Sequence, residues 1–430
     1  WRLGQLDALE RFCVETETEI AAAIGADLGR DAFDSWFGEI VGSRGEIDFA
    51  RKNLKKWMKP SRQRVPLNQR PASARVQYEP LGVVLVIGPW NYPVFLSVSP
   101  IVAAVAAGNC VVLKPSEVAP ATSAMLAELL PLYLDQQTFR VVEGDGPTTQ
   151  ELLALGFDHA LFTGGTEIGR KIMAGAAATL TPVTLELGGK SPVIVAADAD
   201  LPVVARRIAW TKLLNSGQTC IAPDYVLVDE SVKERLVEEL RTAIQAQSVE
   251  KPDGVRIVNA RQFDRLAGYL QATKGTVVMG GGCDAATLNV EPTVLVDPDL
   301  DEPAMTDEIF GPILPVVGFT EVDEAIRLVN SRSKPLALYV FTNDKAKASR
   351  IVDAVPSGGA VVNHIALHCL TPSLPFGGVG ASGMGAYHGE WGFQALSHRK
   401  AVLVKTFKPD LQLMYPPYSA KARKLMRRLF

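Results

Sequence analysis

Cysteine is scarce in this chain and never closely spaced. Five residues in 430 stand at positions 13, 110, 220, 283 and 369, with no CxxC pair. An odd, scattered set argues against a disulfide framework and against a cysteine zinc site. It points to a reducing compartment, with the cytoplasm as the expected location and no metal site. Positive charge is not in excess either. A formal net charge of -3 gives no general grip on nucleic acid, whose binding leans on clustered Lys and Arg. The N-terminus WRLGQLDALERF carries charge within its apolar pattern and lacks a signal-peptide core. Internal repeats and low-complexity tracts are absent. With 47% hydrophobic and 21% charged residues, the composition is globular, and the length implies two large domains.

Charge of either sign is missing from Pro80 to Leu113, and the apolar part VFLSVSPIVAAVAAGNCVVL is long enough to resemble a membrane span. Punctuation by Gly88, Pro89, Pro93, Pro100, Gly108 and Asn109 divides it into LGVVLVIG, a small-residue helical stretch and CVVLKPSE. That pattern reads as strand, helix, strand, buried on both faces. Similar apolar, β-branched runs follow: FRVVEG, HALFTGG, PVTLELGG, PVIVAAD, DYVLVDE and AVVN. Alternating with helical patterns, they predict an α/β protein of parallel sheets. The composition shifts near Gly188 and Gly189, which sets the expected domain boundary. RVQYEPLG and RKAVLVKTF fit neither domain and read as a paired excursion suited to oligomerisation.

Three residue types carry chemistry. Cys220 lies in NSGQTCIAPDY, between small polar residues and a Pro-Asp turn, where a thiolate could be reached; a buried cysteine acting as a small hydrophobe is the plainer alternative. Glu186 stands in the apolar strand LELGG, where desolvation should raise its pKa into the range of a general base, unless a buried Arg or backbone donors pair with it. Asn91, in GPWNYP, is held in a turn at the carboxyl end of a strand, where α/β proteins place ligands, although Asn also serves simply to form turns. The Gly-rich turn after HALFTGG opens a helix whose N-terminus could hold a phosphate, but its spacing is not GxGxxG.

Taken together, PWNYP, LKPSE, FTGGTEIG, LELGGKSP, GQTC, EIFGP and PFGGVGASGMG resemble the aldehyde dehydrogenase superfamily in order and spacing, from about Pro80 to Trp391. CIAPDY, GVGASGMGAYHG and MYPPYS are similar to its class 3 branch, which includes the fatty aldehyde dehydrogenases. The resemblance implies two Rossmann-like parallel-sheet domains with a small β oligomerisation excursion. The dinucleotide-binding domain would comprise residues 1–72 and 81–187, the catalytic domain 188–395, the oligomerisation strands 73–80 and 396–410, and the tail 411–430. It also implies NAD(P)-dependent oxidation of a medium- or long-chain aliphatic or aromatic aldehyde by a homodimer. Cys220 would be the nucleophile, Glu186 the general base and Asn91 the side-chain half of an oxyanion hole. Trp90, Lys114, Glu117, Gly164, Gly165, Thr166, Gly169, Glu308 and Phe310 would bind the cofactor, NAD with NADP as an alternative. Gly165 departs from the polar residue often found there.

A CoA-acylating or phosphorylating relative and a catalytically silent, crystallin-like protein are the competing readings; Glu186 favours hydrolysis, and the complete Cys, Glu and Asn set favours catalysis. Tyr92, Trp210 and Ile365 are apolar candidates for the substrate channel, and His364 and His368 read as loop or pocket residues. The tail KARKLMRRLF has no long apolar run and so no hydrophobic anchor. At helical spacing it sets five cations opposite apolar residues, a pattern for peripheral contact with anionic membrane or for covering a substrate entrance.

Overall fold

The computed structural model describes residues 1–249 and 255–429. Its first sheet has six strands, ordered Gly383–Met384, Val183–Glu186, His159–Thr163, Val83–Ile87, Cys110–Lys114 and Phe139–Val141. All neighbours are parallel except the Gly383–Met384 edge. The charge-free stretch supplies its centre: Val83–Ile87, a helix Phe95–Ala107 with every residue buried, and Cys110–Lys114. A helix closed in on all sides needs no charged face, and this one is apolar but for Ser97 and Ser99. At 1.5 Å per residue this helix is roughly 20 Å long, short of a ~30 Å hydrocarbon core. No helix among the described residues is long and apolar enough to cross a membrane.

The second sheet has seven strands, ordered Thr276–Met279, Thr293–Val296, Ile313–Phe319, Tyr225–Asp229, Pro192–Val195, Ala337–Phe341 and Gly359–Val362. Only Thr276–Met279 runs antiparallel. Four of these strands, Thr276–Met279, Thr293–Val296, Ile313–Phe319 and Ala337–Phe341, are additions to the strands expected from the sequence. Pro315 and Gly318 interrupt one of them, where a sequence pattern argues against a central strand. Strand Val183–Glu186 belongs to the first sheet and Pro192–Val195 to the second, so the chain crosses between sheets at Gly188 and Gly189. It crosses back at Gly383–Met384, whose Gly383 pairs with Glu186.

A third, antiparallel sheet joins Ala72–Pro80 to Ser397–Lys405 over nine residue pairs, with Ser61–Gln63 on the other side. Ser397–Lys405 is its outer edge, largely exposed, with Leu403 and Val404 about half open to solvent. The C-terminal segment does form a helix, Ala420–Leu429, in which Ala422 is buried while Leu425 and the basic residues Lys421, Arg423, Lys424, Arg427 and Arg428 are exposed. Phe430, part of the expected apolar face, lies outside the described residues.

Candidate active site

A cavity of about 1200 Å³ opens at the carboxyl ends of the first sheet's strands and reaches Cys220. It gathers Trp90, Asn91, Lys114, Glu117, Gly164, Gly165, Thr166, Glu186, Cys220, Glu308 and Phe310 from segments far apart in sequence. This is the position at which an open α/β sheet takes its ligand. Gly169 is the exception: it does not line the cavity. A Cβ there would meet Leu187 Cδ2 at 2.6 Å, so the residue serves close packing of its helix on the sheet.

The far end of the cavity is built to receive an anion. Helix Thr166–Ala177 begins at Gly165, which is extended and makes no side-chain cap, so its opening N–H groups have no capping oxygen. A Cβ on Gly165 would meet nothing within 4 Å. The departure at this residue therefore removes a side chain and leaves the backbone cradle open. The Thr166 hydroxyl donates to Ala381 O at 3.1 Å, which engages its proton within the protein. Lys114 is buried, and its Nζ donates to Glu117 Oε2 at 2.6 Å while Glu117 stays half exposed. A buried cation beside an accessible carboxylate suits the hydroxyls of a ribose.

Nearer Cys220 the wall is aromatic and acidic. The Trp90 and Phe310 rings meet edge-on with centroids 5.4 Å apart. The Glu308 carboxyl rests on Gly188, where a Cβ would fall 2.1 Å from Oε2, so a larger residue there would push the carboxyl from this position. Burial first, and the Asp224 carboxylate second, push Glu308 up to about 8. The opposite wall comes from helix Ala260–Ala272, through Arg261, Gln262, Arg265 and Tyr269. Sequence reasoning missed these residues; the amphipathic run ARQFDRLAGYL was the available signal. The cavity's size, its uncapped helix N-terminus and the Lys114–Glu117 pair together fit a nicotinamide dinucleotide.

Glu186 ends strand Val183–Glu186 and is 2% exposed. Neither carboxylate oxygen has a hydrogen-bond partner among the described residues. No arginine or backbone donor pairs with it, and burial alone holds its pKa well above the ordinary value. Cys220 is half-buried in the turn after Leu214–Gly217. Burial raises its thiol pKa, reinforced by Glu308, Cys369 and Glu186. Asn91 Nδ2 donates to Gln218 O at 3.1 Å, which commits one of its two N–H groups and leaves the other.

The channel candidates separate. The Tyr92 hydroxyl lies 2.9 Å from Thr219 Oγ1, next to the nucleophile turn. The Trp210 ring packs edge-on against Phe37 at 6.4 Å and His364 at 6.3 Å, and Phe33 beside them is exposed. Ile365 is fully buried in the core and lines no open channel, because its strand-end loop folds inward. His368 is likewise buried, against Tyr339 and Phe376. Its burial lowers its pKa to about 4, so it stays neutral. No cluster of ligands for a metal ion occurs among the described residues.

Comparison with known proteins agrees with this geometry. The aldehyde dehydrogenase family profile matches residues 2–402. Aldehyde dehydrogenase family 3 member A2 of Mus musculus is 47% identical over 97% of this chain and 87% of its own length. The dimeric NADP-preferring aldehyde dehydrogenase of Rattus norvegicus is 44% identical over 98% of this chain and 94% of its own. Among solved structures, the substrate-bound state of Staphylococcus aureus AldH superposes with a TM-score of 0.95 at 38% identity, covering 100% of this chain and 94% of that one. The chain belongs to the aldehyde dehydrogenase family and is an NAD(P)-dependent oxidoreductase that oxidises aldehydes.

Proposed function

We propose that Cys220 is the nucleophile, Glu186 the general base and Asn91 the side-chain donor to the oxyanion, acting on aldehydes that carry an apolar chain or an aromatic ring. The observation that carries this reading is the Glu186 carboxyl, buried without a partner in the same cavity as the thiol. A glutamate kept for structure would be paired, because an unpaired buried carboxyl is costly. The aromatic set of Phe37, Trp210 and Phe33 supports an apolar substrate, as does the similarity to family 3 enzymes.

In this mechanism the Cys220 sulfur adds to the aldehyde carbon as its thiol proton passes to water, and the carbonyl electron pair moves onto oxygen. The resulting oxyanion accepts hydrogen bonds from Asn91 Nδ2 and the Cys220 N–H. A bound dinucleotide would supply the hydride acceptor, and Lys114, Glu117, the Gly164–Thr166 turn, Glu308, Phe310 and Trp90 would hold it. Loss of hydride re-forms the carbonyl as a thioester on Cys220. Glu186 then takes a proton from water, the water oxygen adds to the thioester carbon, and the thiolate leaves as the acid forms. Glu186→Gln should complete one oxidation and stop at the acyl-enzyme. Intact-mass measurement after incubation with aldehyde and NAD should find the adduct on Cys220; an unmodified enzyme would refute the assignment.

NAD is the favoured cofactor in this reading, because the Glu117 carboxylate repels a 2′-phosphate. The exposed outer edge of Ser397–Lys405 supports a homodimer, in line with the rat relative's description as dimeric. The five free cysteines support a reducing, cytoplasmic setting. The exposed cations of helix Ala420–Leu429 support a peripheral, salt-sensitive contact with anionic lipid.

A further inference from the structure

We propose that Arg30 and Glu39 are positioning residues: a buried ion pair that holds the Asn91 turn against the Cys220 turn and so fixes the site of the oxyanion. The inference rests on the roles given above to Asn91 and Cys220. Neither Arg30 nor Glu39 lines the cavity, and their side chains are 2% and 0% exposed.

One guanidinium touches both turns. Arg30 Nη1 donates to Glu39 Oε1 at 2.8 Å, Nε donates to Asn215 Oδ1 at 3.0 Å, and Nη2 donates to the Asn91 carbonyl. Asn215 Nδ2 closes the circuit by donating to the same Asn91 carbonyl at 2.9 Å and to Gln218 O at 3.1 Å. Gln218 O is also the acceptor for Asn91 Nδ2. The other Glu39 oxygen accepts from the N–H groups of Val94 at 3.0 Å and Phe95 at 2.8 Å, tying the clamp to the start of helix Phe95–Ala107. Arg30 also lies over the Tyr92 ring, 4.5 Å from its centroid, and Tyr92 in turn bonds Thr219, the residue before the nucleophile.

Two physical points argue that this arrangement serves geometry. The nucleophile turn holds three consecutive residues in the left-handed region, Asn215 at φ 51°, Ser216 at φ 51° and Gly217 at φ 71°. Such a backbone persists only where its surroundings over-determine it. A buried ion pair is also a poor way to gain stability, since apolar residues of similar size commonly do as well. A planar, five-donor fork is, by contrast, well suited to fixing several acceptors at once. Glu39 reaches it from the π-helical segment Trp36–Val41, a local widening often found at functional sites.

The test is a kinetic cycle on the full chain with Arg30→Met, Arg30→Lys, Glu39→Gln and Asn91→Ala. Arg30→Met should lower kcat about 100-fold and Glu39→Gln about 10-fold, with aldehyde KM and dinucleotide Kd within about threefold of wild type. Arg30→Lys should restore part of kcat. Arg30→Met combined with Asn91→Ala should fall no further than Asn91→Ala alone, because both act on the same stabilisation. Multiplying losses, or a lower Tm with kcat intact, would overturn the proposal. If Arg30→Met does not fold, Glu39→Gln, equal in shape, runs the same cycle with Asn91→Ala and decides it. An unchanged kcat in Asn91→Ala would overturn the oxyanion assignment itself. A loss in Asn91→Ala with none in the Arg30 and Glu39 variants would overturn only the clamp.

Discussion

The turn from Gly164 to Thr166 and the turn from Asn215 to Cys220 face one cavity, yet they are finished in opposite ways. The first leaves its backbone uncapped at Gly165, with open space where a side chain would be. In the second, the Asn215 amide, the Gln218 amide and the Ser216 hydroxyl are all bonded, within the turn or to Asn91, Arg30 and residues 255–258. A binding turn gains from donors that no protein group has claimed, because the ligand then satisfies them. A reacting turn gains from having nothing free to rearrange, because the charge that develops there must meet dipoles already in place.

The comparison breaks most visibly at the nucleophile. Cys220→Ala should lower aldehyde oxidation by on the order of 10³-fold or more while dinucleotide binding, followed by fluorescence titration, stays near wild type. Substantial residual turnover would sink the mechanism. Glu117→Gln probes the binding side: with the carboxylate gone, the NAD to NADP ratio of kcat/KM should fall about tenfold, and a ratio that holds would acquit Glu117 as the discriminator. Glu308 tests how burial is tolerated between the two turns. Its pKa stands near 8 against an ordinary 4.5, so between those values the unfolded chain binds fewer protons than the native one. Stability from this group therefore falls as pH rises through that window. Glu308→Gln, which cannot ionise, should raise Tm relative to wild type by a few degrees more at pH 8.5 than at pH 5. Equal differences at both values would contradict the raised pKa. The smallest effect belongs to Gly165→Ser, whose Cβ meets open space: dinucleotide Kd should move by no more than about twofold, and a large loss would mean that the cradle is tighter than its geometry.

Much of this was legible in the order of residues. VVLVI, CVVLK and HALFT announce central strands because burial on both faces leaves no room for polar alternation. The residues that meet at the cavity could be named because each lies in a short motif, at a strand end for Asn91, Lys114, Gly164 and Glu186 and in a turn after a helix for Cys220 and Glu308. What could not be read depends on contacts across the chain. Arg30 looks like an ordinary cation after a helix; only the fold brings it to Asn91 and, 185 residues away, to Asn215. Gly169 sits inside the motif FTGGTEIG, yet Leu187, from the neighbouring strand end, is what demands it. Ile365 looked suited to a channel because apolar residues line both channels and cores, and sequence does not separate the two. Strand Ile313–Phe319 was hidden by Pro315 and Gly318, whose cost its parallel neighbours Tyr225–Asp229 and Thr293–Val296 offset.

The charge-free centre of the first sheet also has a consequence for how the protein is made. The charge-free helix Phe95–Ala107 leaves the ribosome after helices Arg2–Glu15 and Gly42–Trp57, which pack on it, whereas Val83–Ile87 leaves well before its sheet neighbour His159–Thr163. At roughly 5–20 residues per second, that delay is on the order of seconds. During it, the apolar strand Val83–Ile87 has one edge with no partner strand yet synthesised. That open apolar edge is what a chaperone would shield during early synthesis, and substitutions that slow closure of the first sheet should reduce the yield of soluble protein before they alter the finished enzyme.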